Sequence, residues 1–157
     1  MCYYFSVMLK KPLFKELFVV LFAVYILNVL ALKYNWYWSI TEFDSLVHFL
    51  GGMWAALVVL WFYFFSGFLN PQDRGFKNFF FISLLGLIFI SVAWEIFELV
   101  SGATFVVEPK YRFDTALDFV MDFLGGAVAL LYAYLINISY AQRQVEVKGQ
   151  APENLPT

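Results

Sequence analysis

Asp44-Ser-Leu-Val-His48-Phe-Leu-Gly-Gly52 opens a long apolar run, yet it holds a carboxylate and the chain's single histidine. A second stretch echoes it: Asp118-Phe-Val-Met-Asp122-Phe-Leu-Gly-Gly126. Asp44 to Leu57 aligns with Asp118 to Leu131 without a gap, with Asp122 in the place of His48. On a helix, positions i and i+4 lie on one face. Each copy therefore sets two ionisable groups on one face, one turn ahead of a small-residue patch.

The surroundings of both copies are lipid-like. Of 157 residues, 62% are hydrophobic, 22% aromatic and 14% charged. A soluble domain averages about 45–50% apolar and about 25% charged, so the chain reads as an integral membrane protein whose first partner is the bilayer. A net charge of −2 gives no basis for a nucleic-acid partner. The single Cys2 excludes an intramolecular disulfide and a multi-cysteine metal site. No Gly-x-Ser-x-Gly accompanies the histidine, and one His with four Met leaves haem short of axial ligands.

The fold class expected is all-α: a polytopic bundle of four transmembrane helices, at about 13–33, 44–69, 79–101 and 114–140. The first run, Leu13 to Leu32, is interrupted only by Lys15, Glu16 and Asn28. It is longer than a signal-peptide core, and its exit, Ala31-Leu-Lys-Tyr-Asn, is a poor cleavage site, so it is read as a retained helix. Residues 33–43 mix Trp and Tyr with polar groups, as an interfacial loop does. Asn70-Pro71-Gln-Asp-Arg-Gly75 stops the second helix. Asp114 or Phe113 falls at the N-cap of the fourth. Residues 142–157 lack periodicity and read as a disordered tail. The echoed stretches make helices two and four a parallel repeat, with helices one–two and three–four as its units. Gly51, Gly52 and Gly125 each precede an Ala by one turn, a pattern for close helix packing and not for phosphate binding.

Lys10, Lys11, Lys15, Arg74, Lys77, Arg143 and Lys148 fall on one side of this topology, and only Lys33, Lys110 and Arg112 on the other. The positive-inside rule then places both termini in the cytoplasm of an inner cell membrane. With that orientation the acids converge on the outer side. Asp44 and His48 share a face at i, i+4; Glu95 and Glu98 at i, i+3; Asp114, Asp118 and Asp122 form a stripe. Facing lipid would cost about 2.5–3.5 kcal/mol for a charge at a helix centre. The three stripes are therefore expected to line one cleft between helices two, three and four. Lys110 or Arg112, from the adjoining loop, could neutralise part of it.

In order, His48-Phe49-Leu50-Gly51-Gly52, Trp94-Glu95-Ile-Phe-Glu98 and Asp114-Thr115-Ala-Leu-Asp118-Phe-Val-Met-Asp122 resemble the motifs of the YjdF-type inner-membrane proteins. They are similar, more loosely, to the VanZ-like proteins, whose Glu-x-x-Gln and Asp-x-x-x-Asn are Glu95-x-x-Glu98 and Asp118-x-x-x-Asp122 here. The resemblance spans about residues 40–130. It implies the same fold and site, and no settled activity.

Three functions fit the residues. One is a divalent-metal site for Zn²⁺, Mn²⁺, Fe²⁺ or Mg²⁺, with His48, Asp44, Glu95, Glu98, Asp118 and Asp122 as ligands. Glu95 or Glu98 would then be the catalytic base in hydrolysis of a lipid-linked or envelope substrate. A second is proton or cation handling by the same carboxylates, along a path that would need Ser83, Gly86 or Ser91. A third is a non-enzymatic envelope protein whose polar cluster specifies helix packing.

Overall fold

Continuous apolar runs of about 20 residues must satisfy their own backbone groups in hydrocarbon, and the helix does so. The computed structural model describes residues 11–40, 42–69, 71–101 and 111–149, and all its regular structure is helical. α1 is Phe14–Tyr34, the short α2 is Trp36–Ser39, and α3 is Phe43–Leu60, extended by a π-helical turn, Trp61–Phe65. α4 is Phe76–Ser101 and α5 is Tyr111–Gly149. Among the described residues, four stretches are long and apolar enough to cross a membrane: Phe14–Tyr34, Phe43–Phe65, Phe76–Val100 and Thr115–Arg143.

The helix directions follow from the contacts. Phe14 packs on Trp61, and the Tyr132 hydroxyl donates to Glu16 Oε1 at 3.2 Å, so α1 runs antiparallel to α3 and α5. Phe79 stacks on Phe64 with ring centroids 3.8 Å apart, and Gly86 faces Val59, so α4 is also antiparallel to α3. α3 and α5 run parallel and share the most extensive packing in the bundle. The echoed helices are thus direct neighbours.

Glycine permits that closeness at two points. A Cβ at Gly52 would overlap the backbone of Asp122, and one at Gly125 the backbone of Phe49. Small residues let helices approach to backbone contact where lipid supplies no hydrophobic drive. Ala56, Ala129 and Ala133 continue the contact and are fully buried. The repeat is unequal here: a Cβ at Gly51 meets nothing within 4 Å, and one at Gly126 meets Leu87.

Most buried apolar side chains of the described residues fall in two clusters. The larger centres on Leu57, Leu60, Phe64 and Phe79 at the C-terminal end of α3; the smaller joins Ala31, Phe43 and Val47 at its N-terminal end. The outer surface is apolar instead of charged: Phe89 is 76% exposed and Leu32 73%. Exposed apolar surface on this scale marks a face made for hydrocarbon.

Several boundaries differ from the sequence reading. The expected interfacial loop contains α2, and Asn35, at φ 56°, closes α1 before it. The second helix stops short of Asn70. Five consecutive aromatics crowd an α-turn; Trp61–Phe65 widens instead, with Ser66 N–H donating to the Trp61 carbonyl at 2.8 Å, and Gly67 ends the run at φ 85°. The third helix begins at Phe76, three residues early. In the fourth, Phe113 and Asp114 lie inside the helix and not at its cap. α5 also continues into the expected tail as far as Gly149, because Ala141-Gln-Arg-Gln-Val-Glu-Val-Lys148 contains no helix breaker; residues 150–157 of that tail lie outside the described residues.

Arg74 locks the C-terminal end of α3 and its π-helical turn. Its guanidinium donates to the Phe64 carbonyl and to Asn137 Oδ1 (3.3 Å), and lies 5.5 Å from the Phe65 ring centroid. Asn137, buried on α5, donates back to the Arg74 carbonyl at 3.3 Å. Lys11 donates to the Ser66 carbonyl. Two cations thus satisfy carbonyls that the helix end leaves open. Arg74→Met should cost about 1.5–3 kcal/mol, the range for charge-assisted hydrogen bonds. A lowered midpoint of thermal unfolding in detergent is the expected reading; an unchanged midpoint would show the lock to be dispensable.

Candidate functional site

The N-terminal halves of α3 and α5 and the C-terminal half of α4 bring their acids to one imidazole. His48, one turn before Gly52, is carried to α5 by the close helix crossing. Its Nδ1 lies 3.3 Å from Asp122 Oδ1 and its Nε2 3.8 Å from Asp118 Oδ1. His48 is 4% exposed, Asp118 5% and Asp122 6%.

Two groups of possible ligand atoms share the histidine. Asp44, His48 and Asp118 form one; His48, Glu95 and Glu98 form the other; in each the atoms lie within 4.8 Å of one another. Glu95 is 9% exposed and accepts a hydrogen bond from the Thr115 hydroxyl. Glu98 is half-buried and accepts from Trp94 Nε1 at 2.8 Å. Five of the six residues singled out in the sequence therefore belong to a ligand group around His48.

The sixth, Asp122, has a different position. It joins neither group and sits against Nδ1, on the opposite ring nitrogen from Asp118. A neutral imidazole can donate from one nitrogen while the other accepts or ligates. With Nδ1–H given to Asp122, Nε2 is directed to the side of the ring where Asp118 lies. Lys110 and the side chains of Asp114 and Arg112 lie outside the described residues.

Four contributors escaped the sequence reading. Thr115 and Trp94 stand inside the quoted motifs but were given no role; the structure puts each on a glutamate. Tyr37 donates its hydroxyl to Asn28 Oδ1, joining α2 to α1. Burial first, then Asp44 and Glu98, pushes the Tyr37 phenol up to about 12, so it stays a donor. Asn28 was legible as a polar break in the first helix, and Tyr37 as an interfacial aromatic. Their pairing needs the fold.

Below the ring lies a partly enclosed cavity of about 180 Å³, with His48 and Asp122 on its wall. Its other lining is largely apolar and comes from α1, α3 and α4.

No curated protein and no solved structure matches the chain. Residues 3–138 match the family described as "Predicted membrane protein (DUF2238)". That stretch contains all three motifs, and the family is the YjdF-type family to which they pointed; the looser likeness to VanZ gains no support. With the match covering most of its length, the chain belongs to the DUF2238 family of predicted membrane proteins.

Proposed function

We propose that this integral membrane protein binds a divalent cation at His48, in the outer half of an inner cell membrane, with both termini in the cytoplasm. One observation carries the reading: a single buried imidazole belongs to two three-residue groups of potential ligands while Asp122 occupies its other face. Metal-ligating histidines usually give their second ring N–H to a carboxylate, which fixes the tautomer and raises ligand basicity. Asp122 stands where such a carboxylate belongs. Asp44 and Asp118, or Glu95 and Glu98, complete a three-ligand set. A mixed imidazole and carboxylate set without thiolate suits Zn²⁺, Mn²⁺ or Fe²⁺ above Mg²⁺.

A three-ligand site leaves a coordination position free, and an ion there supplies an acidified water and a Lewis acid. With Asp44 and Asp118 as the carboxylate ligands, Glu95, buried and steadied by Thr115, would serve as the general base for hydrolysis of a lipid-linked or envelope substrate. The inner half favours a site reached from one side over a through-path. Leu57, Leu60, Phe64 and Phe79 pack there as a continuous cluster, and Val59 fills the space at Gly86.

The test is metal uptake. Protein purified in mild detergent, stripped with chelator and reloaded with Zn²⁺ or Mn²⁺ should hold about one ion per chain. Asp122→Asn should weaken affinity by about 10–100-fold, the usual effect of losing a carboxylate behind a ligating histidine. Absence of stoichiometric uptake by the unaltered protein would remove the proposal.

A further inference from the structure

The cavity beneath His48 has a property that the metal reading does not explain. Gly51 lies on its wall, and a Cβ there meets nothing within 4 Å. Its counterpart in the repeat, Gly125, is pressed against the Phe49 backbone. The same motif position therefore serves contact in one copy and leaves space in the other. α3 thus keeps this partly enclosed space clear with a residue that no neighbour requires to be small.

The lining decides what fits. It is largely apolar, with Val24, Ala55 and Ile90 from three helices, and its polar members are Asn28, Ser91, His48 and Asp122. An apolar cavity of about 150 Å³ takes a benzene-sized guest; this one is about 180 Å³. Trp54 lies on the same wall. The cavity lies within the membrane-spanning parts of α1, α3 and α4, where the surrounding medium is hydrocarbon chain.

We propose that this cavity seats a stretch of the hydrocarbon chain of a membrane lipid, with the head lying at the His48 end. The placement of the head rests on the metal-site reading; the seating of the chain does not.

Photo-crosslinking in phosphatidylcholine vesicles tests it, with a phosphatidylcholine that carries a diazirine in mid-chain. The expected result is labelling of Val24 and Trp54, in addition to the lipid-facing Phe89. Gly51→Leu, which fills the cavity, should lower labelling at Val24 and Trp54 roughly tenfold and leave Phe89 unchanged. Gly51→Ala, a smaller intrusion, should lower it partially. If Gly51→Leu does not fold, Gly51→Ala and competition by unlabelled lipid in the unaltered protein decide the matter.

Absence of label at Val24 and Trp54 in the unaltered protein, or labelling unmoved by the Gly51 variants, overturns the proposal. Zn²⁺ or Mn²⁺ uptake measured on the same samples keeps the two readings apart. Cavity labelling without uptake removes the metal and keeps the lipid seat; uptake without cavity labelling does the reverse.

Discussion

His48→Ala should abolish divalent-cation binding, lowering affinity by about 100-fold or more. The estimate lies beyond the about 10–100-fold expected for losing a partner behind the ring, because His48 is the one residue common to both ligand groups. Neither Asp44 with Asp118 nor Glu95 with Glu98 forms a three-ligand set without it. The substitution also takes the ring from between Asp118 and Asp122. Calorimetric titration of stripped protein with Zn²⁺ or Mn²⁺ measures the effect, and helical circular dichroism before and after heating checks the fold. Wild-type affinity in the alanine variant would mean that the carboxylates alone hold the ion.

Gly125→Leu should have the largest effect on folding. A Cβ at Gly125 falls on the Phe49 backbone, which cannot rotate away as a side chain could. Overpacking usually costs about 1–3 kcal/mol; relief here requires α3 and α5 to part along their whole contact, so about 3 kcal/mol or more is expected. Ala56, Ala129 and Ala133 would lose their partners with it. The reading is a lower midpoint of unfolding in detergent, or loss of monodisperse protein. Gly51→Leu supplies the contrast, because the added side chain enters open space. Equal destabilisation by the two substitutions would contradict the assigned packing.

The number of spanning helices, the neighbouring of the two echoed stretches and the gathering of acids around His48 were all legible in the sequence. They depend on hydropathy and on i, i+4 spacing, which are local properties. The part played by each residue within the cluster was not legible. Asp122 sits behind the histidine ring because of the rotation of α5 against α3, and spacing along one helix says nothing of that rotation. The glycines show the same limit: Gly51 and Gly125 stand at equivalent positions, and only the distance between backbones separates contact from open space. The π-helical turn and Arg74 were invisible for a further reason. Asn70-Pro71 is the stronger stop signal, but the aromatic run and Gly67 act before it, and Arg74 finds its acceptors only once Phe64 and Asn137 are neighbours.

The crossing at Gly52 and Gly125 also acts as a fulcrum. Where two backbones touch, rocking of one helix on the other turns about that point. His48 lies one helical turn from Gly52, about 5.4 Å along the axis. A tilt of about 10° there would displace it by only about 1 Å, while a group about 30 Å away would swing by about 5 Å. Any rocking of α3 on α5 is thus smallest where the imidazole sits and largest at the helix ends.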